Sequence, residues 1–324
     1  MFPKISIITP CFNAEKHIEQ TILSIIEQDY NNLEYIIIDG GSTDSTVDII
    51  KKYEDRIAFW ISETDNGQSH AINKGIEIAS GDIFNWINAD DYLENGALKL
   101  IATEFVKEEI DIVCTNTVLF NEHGNIRING EDSMNLNLFD LLNSTGLNQM
   151  GMYWSLDIVK QLNGVNNAFN YSMDLDLFKR YLLTHGADKI RFINSITGYF
   201  RLSNNSKTGV DFSENFHFFE EENHAALCQY ALIGGLSYIK PIQFLFPKFK
   251  VELATLPLPS PISNSILKWW MKKLFYTKAK QFFYANDFKL AFQFIQTLSF
   301  EEFEEIEQKD LRSFKRWSRI RRWM

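Results

Sequence analysis

The chain has 324 residues, 45% hydrophobic and 23% charged, which suits a sizeable core and disfavours wholesale disorder. Its net charge of −10 argues against a dedicated nucleic-acid binder, which carries a basic footprint. Three widely spaced cysteines, Cys11, Cys114 and Cys228, fit neither a disulfide framework nor a zinc site and point to a reducing compartment.

Residues 5–9 form a short β-branched run, the pattern of a buried parallel strand. Residues 15–28 have helical periodicity, with Ile18, Ile22, Ile25 and Ile26 on one face. A second strand at 33–38 runs into Asp39-Gly40-Gly41. Ser42-Thr43-Asp44-Ser45 can then cap a helix carrying Val47, Ile49 and Ile50. A strand at 59–62, a helix at 69–79 and a strand at 82–87 complete a βαβαβαβ order. That order predicts a mostly parallel sheet with helices on both faces, and ligands beyond the carboxyl ends of its strands. A helix at 97–108 and a strand at 110–116 follow, then a polar stretch at 121–137 read as a hairpin or mobile loop. Residues 138–203 hold short helices and strands. From about 212 the chain is aromatic-rich and helical, interrupted by the proline-rich LPLPSP at 256–261.

Polar segments follow each of the first strands: Thr9-Pro10-Cys11-Phe12-Asn13, Asp39 to Asp44, Ser62 to Gln68, and Asn88-Ala89-Asp90-Asp91. Any one of them is an ordinary turn sequence. Four at one sheet edge suit a nucleoside diphosphate. Hard oxygen ligands can bridge its phosphates through Mg²⁺ or Mn²⁺, a carboxylate can accept hydrogen bonds from a ribose or base, and Phe12 can stack on the base.

The segments ISIITPCFNAEKHIEQTILSIIEQ, EYIIIDGGSTDSTVDII, SETDNGQSHAINKGIEIASGD and WINADD resemble, in order, the nucleotide-binding half of family 2 glycosyltransferases with the GT-A fold. Weaker similarity continues to about residue 208 through NQMGMYW, YSMDLDLFKRYL and FRLSNNSKTG. Within the family the chain looks closest to bacterial transferases of O-antigen, capsule and other surface polysaccharides. The resemblance implies a donor-binding half at 1–110, an acceptor-binding half at 111–211 and a helical region at 212–324. It places Pro10, Phe12 and Asp39 at the nucleobase, Asp65 and Asn73 on segments lining the donor pocket, Asp90 on the ribose or behind the metal, and Asp91 as ligand of Mg²⁺ or Mn²⁺. Asn88 departs from the aspartate that usually opens this last motif, which weakens the case for a metal role at residue 88. The family's acidic motif puts Asp174 at the position of the catalytic base, with Asp176 as competitor. Arg201, Ser206 and Lys207 fall on a segment near the donor phosphates. The isolated His70 and His185 are read as packing or surface residues.

The implied reaction is inverting transfer from a nucleotide sugar, with UDP favoured by its frequency in the family, to a hydroxyl of a glycan or lipid-linked acceptor. The rival reading is a binding protein of the same fold without turnover. A nucleotidyltransferase is disfavoured because TPCFNAEKH has no glycine, and a processive synthase by the absence of a Gln-x-x-Arg-Trp motif and of spanning runs. The opening MFPKISIITP lacks signal-peptide features, so a cytoplasmic location is expected. Residues 311–324, LRSFKRWSRIRRWM, read as a basic amphipathic helix, with Trp269 to Phe275 as a second patch. Both are candidates for peripheral contact with the cytoplasmic face of the inner membrane.

Overall fold

The computed structural model describes residues 2–130, 137–143 and 148–203, together with scattered residues between 265 and 316. The described residues from 2 to 203 belong to one compact unit. Its strands join a nine-stranded sheet in the order β3-β2-β1-β4-β8-β6-β9-β5, with β7 also paired to β6. The first four strands are β1 (Ile5–Cys11), β2 (Leu33–Asp39), β3 (Phe59–Ser62) and β4 (Ile83–Trp86), all mutually parallel. The sheet is thus the mostly parallel, helix-flanked α/β arrangement that the sequence pattern predicts.

The register sets the rest. Cys11 pairs with Asp39, and Asp39 with Ser62, so β1, β2 and β3 end flush. Ile87 N–H donates to the Ile8 carbonyl at 2.8 Å, which brings the end of β4 to the same edge. Alternation decides the two faces. Ile5, Ile7, Tyr35 and Ile37 pack under α1 (Ile18–Ile26) and α2 (Thr46–Lys51), while Ile8 faces α3 (Gln68–Ile78). Each fully buried isoleucine here contributes roughly 1.5–3 kcal/mol. The α3 contact is so close that a Cβ on Gly75 would lie 2.6 Å from the Ile8 side chain.

Three details sharpen the sequence reading. Ser45 stands at the N-cap of α2 without a side-chain bond; Asp44 Oδ1 takes the Thr46 N–H (3.0 Å) and Oγ1 (2.5 Å) instead. The strand read at 110–116 is β6 (Ile112–Asn121). It returns through β7 (Gly124–Asn129) as a hairpin, so of the two readings of that polar stretch the structure shows the hairpin. After α4 (Ala97–Lys107) the sheet is mixed: β8 (Met152–Ser155) runs antiparallel to β4 and β6, and β9 (Ile190–Arg201) runs parallel to β6. A two-residue strand, β5 (Tyr92–Leu93), pairs with β9. The short helices α5 (Leu138–Asn143) and α6 (Leu156–Gln161) precede α7 (Met173–His185).

At the opposite, amino end of the sheet, Glu34 is buried among donors: Lys4 Nζ (2.6 Å), Ser6 Oγ (2.6 Å), Ser80 N–H (2.7 Å) and Ser80 Oγ (2.6 Å). Burial pushes its carboxyl pKa up, but the bonds from Lys4, Ser6 and Ser80 outweigh it and lower the value to about 2. A depressed pKa stabilises the fold fully above the unfolded value near 4.5, and the gain disappears as pH falls through about 2. Glu34→Gln is therefore expected to cost about 2 kcal/mol near neutral pH. The gap from the wild type should narrow between pH 4.5 and 2 in pH-resolved unfolding, and a pH-independent gap would contradict this.

Candidate active site

Beyond Cys11 the chain turns through Asn13, whose φ of 49° is left-handed. Asn13 is fastened to the loop after β2: its N–H donates to Ser42 Oγ (2.7 Å) and its Oδ1 accepts the Thr43 N–H (2.9 Å). Ala14 N–H donates to Thr46 Oγ1 at 2.7 Å. This clasp presents Phe12 at the carboxyl edge with 62% of its surface exposed, as stacking requires. Pro10 is buried within β1 opposite Ile38.

Asp39 sits where the sequence placed it, at the end of β2, but its carboxylate is turned inward and is 0% exposed. One oxygen accepts from Gly41 N–H (3.1 Å), Ser42 N–H (2.9 Å) and Ser62 Oγ (2.6 Å), the other from Ser42 Oγ and Cys11 Sγ. These bonds bind the first three loops together. Burial and the Asp39 carboxylate hold the Cys11 thiol well above its usual pKa. The expected direct contact of Asp39 with a nucleobase thus finds its oxygens already occupied. Asp65 is partly exposed; its Oδ1 accepts the Gly67 N–H at 2.7 Å.

Asn73, expected on the donor pocket, is spent elsewhere. Its Nδ2 donates to the Val165 carbonyl and to Asn167 Oδ1, each at 2.8 Å, and its Oδ1 accepts the Val165 N–H at 3.0 Å. With Ser69 Oγ donating to the Phe169 carbonyl (2.6 Å), it ties α3 to the loop that leads into α7. Asn73 is a support of the site, because an amide with three bonds along that loop has little left for a ligand.

The Asn88–Asp91 segment contains a relay that sequence reasoning missed. Gln68 Nε2 donates to Asn88 Oδ1 (2.7 Å), Asn88 Nδ2 donates to Asp91 Oδ2 (3.2 Å), and Asp91 Oδ1 accepts the Arg201 N–H (2.8 Å). Asn88 can accept and donate at once, which an aspartate facing Asp91 could not. Asp91 is 1% exposed, and burial followed by the adjacent Asp90 pushes its carboxyl well above the usual range. The metal role expected of Asp91 therefore meets a carboxyl with both oxygens hydrogen-bonded inside the protein. Asp90 is the partly exposed carboxylate of the pair, its pKa raised by burial. Among the described residues no group of three His, Cys, Asp or Glu side chains is placed to hold a metal. One carboxylate fits a hard divalent ion whose other ligands are phosphate oxygens and water.

Part of the Arg201 guanidinium is engaged within the protein. Its Nε donates to the Asp90 carbonyl (3.0 Å), its Nη2 to Gln20 Oε1 (2.7 Å), and its guanidinium lies 4.5 Å from the centre of the Phe120 ring. Tyr92 and Tyr199 stack beside Phe120 and fix β5 on β9. Ser206 and Lys207 lie outside the described residues, as do Trp317 and Trp323 of the basic tail. Leu311 and Trp270 are buried, so those two side chains are not displayed as membrane contacts. His70 accepts a bond from the Asn66 N–H and His185 stacks on Tyr181, consistent with packing roles.

The two acids of α7 separate. Asp176 is 1% exposed and pairs with Arg180 Nε at 2.8 Å; Arg180 also donates to the Leu162 carbonyl and to the Gly164 carbonyl (2.8 Å). Asp174 is partly exposed in the first turn of α7, and its Oδ1 accepts the Leu175 N–H. Burial lowers the nearby Lys179 to about 8 against the pull of Asp176 and Asp174.

The sequence pattern of Glycosyl transferase family 2 matches residues 6–169. The chondroitin synthase of Escherichia coli is 27% identical over 228 residues, 67% of this chain and 32% of that protein. The chain spans well under two thirds of the length of the curated relatives it matches first. Among solved structures, Staphylococcus aureus TarS 1–349 in complex with UDP superposes with a TM-score of 0.58 at 15% identity, over 97% of this chain and 88% of that one. The mannosyltransferase PcManGT of Pyrobaculum calidifontis, in complex with GDP-Man and Mn²⁺, gives 0.54 at 14% identity, over 98% and 84%. At these identities the likeness is one of fold.

Removing Asp176 strands a buried guanidinium. Asp176→Asn is expected to cost about 3 kcal/mol and lower the thermal midpoint by roughly 6–10 °C. An unchanged midpoint would show that the Asp176–Arg180 pair does not support the loop before α7.

Proposed function

The chain belongs to glycosyl transferase family 2, and on that premise we propose that it moves a sugar from a nucleoside-diphosphate sugar to an acceptor hydroxyl with inversion at the anomeric carbon. The observation that carries this is the convergence of four strand ends on one edge, where Phe12, Asp65 and Asp90 are the exposed or partly exposed groups and Asp39 and Asp91 hold the loops from behind. Phe12 stacks on the base. Asp90, rather than Asp91, would hold Mg²⁺ or Mn²⁺, which when bound would offset the charge on the departing diphosphate.

Asp174 is the proposed base. It takes the proton of the acceptor hydroxyl as that oxygen bonds to the anomeric carbon and the bond to the diphosphate breaks. The burial of Asp176 against Arg180 supports Asp174 over Asp176 in this role. The tie from Asn73 and Ser69 to the loop before α7 fixes the base relative to the donor loops. On this reading residues 1–110 hold the donor and 111–211 the acceptor. UDP is the preferred nucleotide. A glycan or lipid-linked glycan is the proposed acceptor, in keeping with the similarity to a chondroitin synthase. Surface-polysaccharide synthesis on the cytoplasmic side of the membrane is the proposed setting. Among the described residues no helix is long and apolar enough to cross a membrane.

The test is nucleoside-diphosphate release by the full chain from UDP-, dTDP- and GDP-sugars with Mn²⁺ and a glycan acceptor. Turnover with one of them is expected. Asp174→Asn should lower it by about 10²–10⁴-fold while nucleotide still raises the thermal midpoint. Nucleotide binding without turnover by the wild type would instead favour the inactive binding protein. No binding of any nucleotide would overturn the donor site.

A further inference from the structure

The sheet ends at β3, which pairs with β2 and, among the described residues, has no strand on its outer side. An open edge offers unpaired backbone groups to another strand, and folds normally blunt it with lysine, proline or a bulge. Residues 57–62, IAFWIS, carry no charge and no proline, and their pairing with β2 runs without a register shift. β7, which pairs only with β6, is blunted by comparison: Arg127 sits at its middle, and its pairing shifts between Leu119 and Phe120.

The direction of the free groups on β3 follows from its bonds to β2. Ala58 N–H donates to the Tyr35 carbonyl at 2.9 Å, so Ala58 and Trp60 turn their backbone groups inward. Phe59 and Ile61 therefore turn theirs outward. Their side chains lie on the α3 side of the sheet, level with Ile36 and Ile38, and Phe59 is 37% exposed. Trp60, level with Ile37, packs towards α1 and α2.

This edge is complementary to itself. A two-fold axis through Trp60, perpendicular to the sheet, sets Phe59 opposite Ile61 of the partner subunit, and Ile61 opposite the partner's Phe59. Both residues turn their N–H and C=O outward, so each pair closes two hydrogen bonds and matches two apolar side chains. The exposed Arg56 comes opposite the partner's Thr64, between Glu63 and Asp65 of the partner subunit. An axis one residue later would set Phe59 against Glu63, and one residue earlier would set Asp55 against Glu63.

We infer that β3 is a dimerisation edge, on which a second copy of this chain pairs antiparallel about Trp60 and continues the sheet. A closed two-fold contact uses up both open edges at once. The strands of the two copies then run in opposite directions, so each copy keeps its own carboxyl edge. The loop after β3 is held by the partner's segment before its β3.

Sedimentation of the full chain tests this. The wild type is expected to run as a dimer at about 10 µM. Phe59→Lys with Ile61→Lys sets like charges opposite one another and should weaken association about tenfold or more. Phe59→Lys with Ile61→Glu sets opposite charges there and should restore it, which damage to the fold would not. Trp60→Cys should oxidise to a covalent dimer, because the Cα atoms of a pair on the axis stand about 4.5 Å apart, within disulfide reach. Phe59→Cys should not. A wild type that is monomeric at that concentration overturns the inference. So does a dimer that survives the two lysines, a lysine–glutamate variant that stays dissociated, or a dimer in which Trp60→Cys does not link.

Discussion

The flush parallel register of β1, β2 and β3 is the constraint on which the remaining structure depends. Cys11, Asp39 and Ser62 stand side by side because three strands run in the same direction and stop at the same level. A parallel sheet buries both faces, which the isoleucine-rich runs at 5–8 and 36–38 suit, the buried Ser6 being satisfied by its bond to Glu34. Helices α1 and α2 close one face and α3 the other, with the Gly75–Ile8 contact setting how near α3 can come. A one-residue slip of β1 would turn Ile5 and Ile7 out of their cluster and separate Cys11 from Asp39. The same hydrophobic pattern that fixes the core therefore fixes the position of the polar loops.

At that edge the acidic residues divide by direction. Asp39 and Asp91 point inward and are buried under backbone and side-chain donors; Asp65 and Asp90 retain solvent exposure. The same division recurs in α7, where Asp176 is neutralised by Arg180 and Asp174 stays partly open. A buried carboxylate is tolerated only with donors around it, so each inward acid organises a loop. Loops held by buried acids need less reorganisation when a ligand arrives, which favours tight and selective binding. The relay from Gln68 through Asn88 and Asp91 to Arg201 extends this order from the start of α3 to the end of β9.

Much of this was legible in the sequence. The four strands of the first 90 residues and the helices between them follow from β-branched runs, helical spacing and turn residues, and they lie close to where the pattern puts them. Later elements were harder. β5 has two residues and no pattern of its own, and the parallel pairing of β9 with β6 is a long-range contact that no local signal announces. The site was legible by position and not by orientation. Sequence places Asp39 and Asp91 at strand ends, but whether a carboxylate faces a ligand or its own loop depends on donors from other segments, such as Ser62 and Arg201. Asn73 was read onto the pocket because nothing local reveals that Val165 and Asn167, some ninety residues on, claim its amide.

Hydrogen–deuterium exchange with and without UDP and Mn²⁺ tests most directly whether one sheet edge is the donor site. The account predicts slowed exchange confined to backbone amides of residues 11–14, 40–44, 63–68 and 88–91, with the buried strands unchanged. Binding that leaves those four loops exchanging as before, or that protects only residues away from this edge, would contradict it.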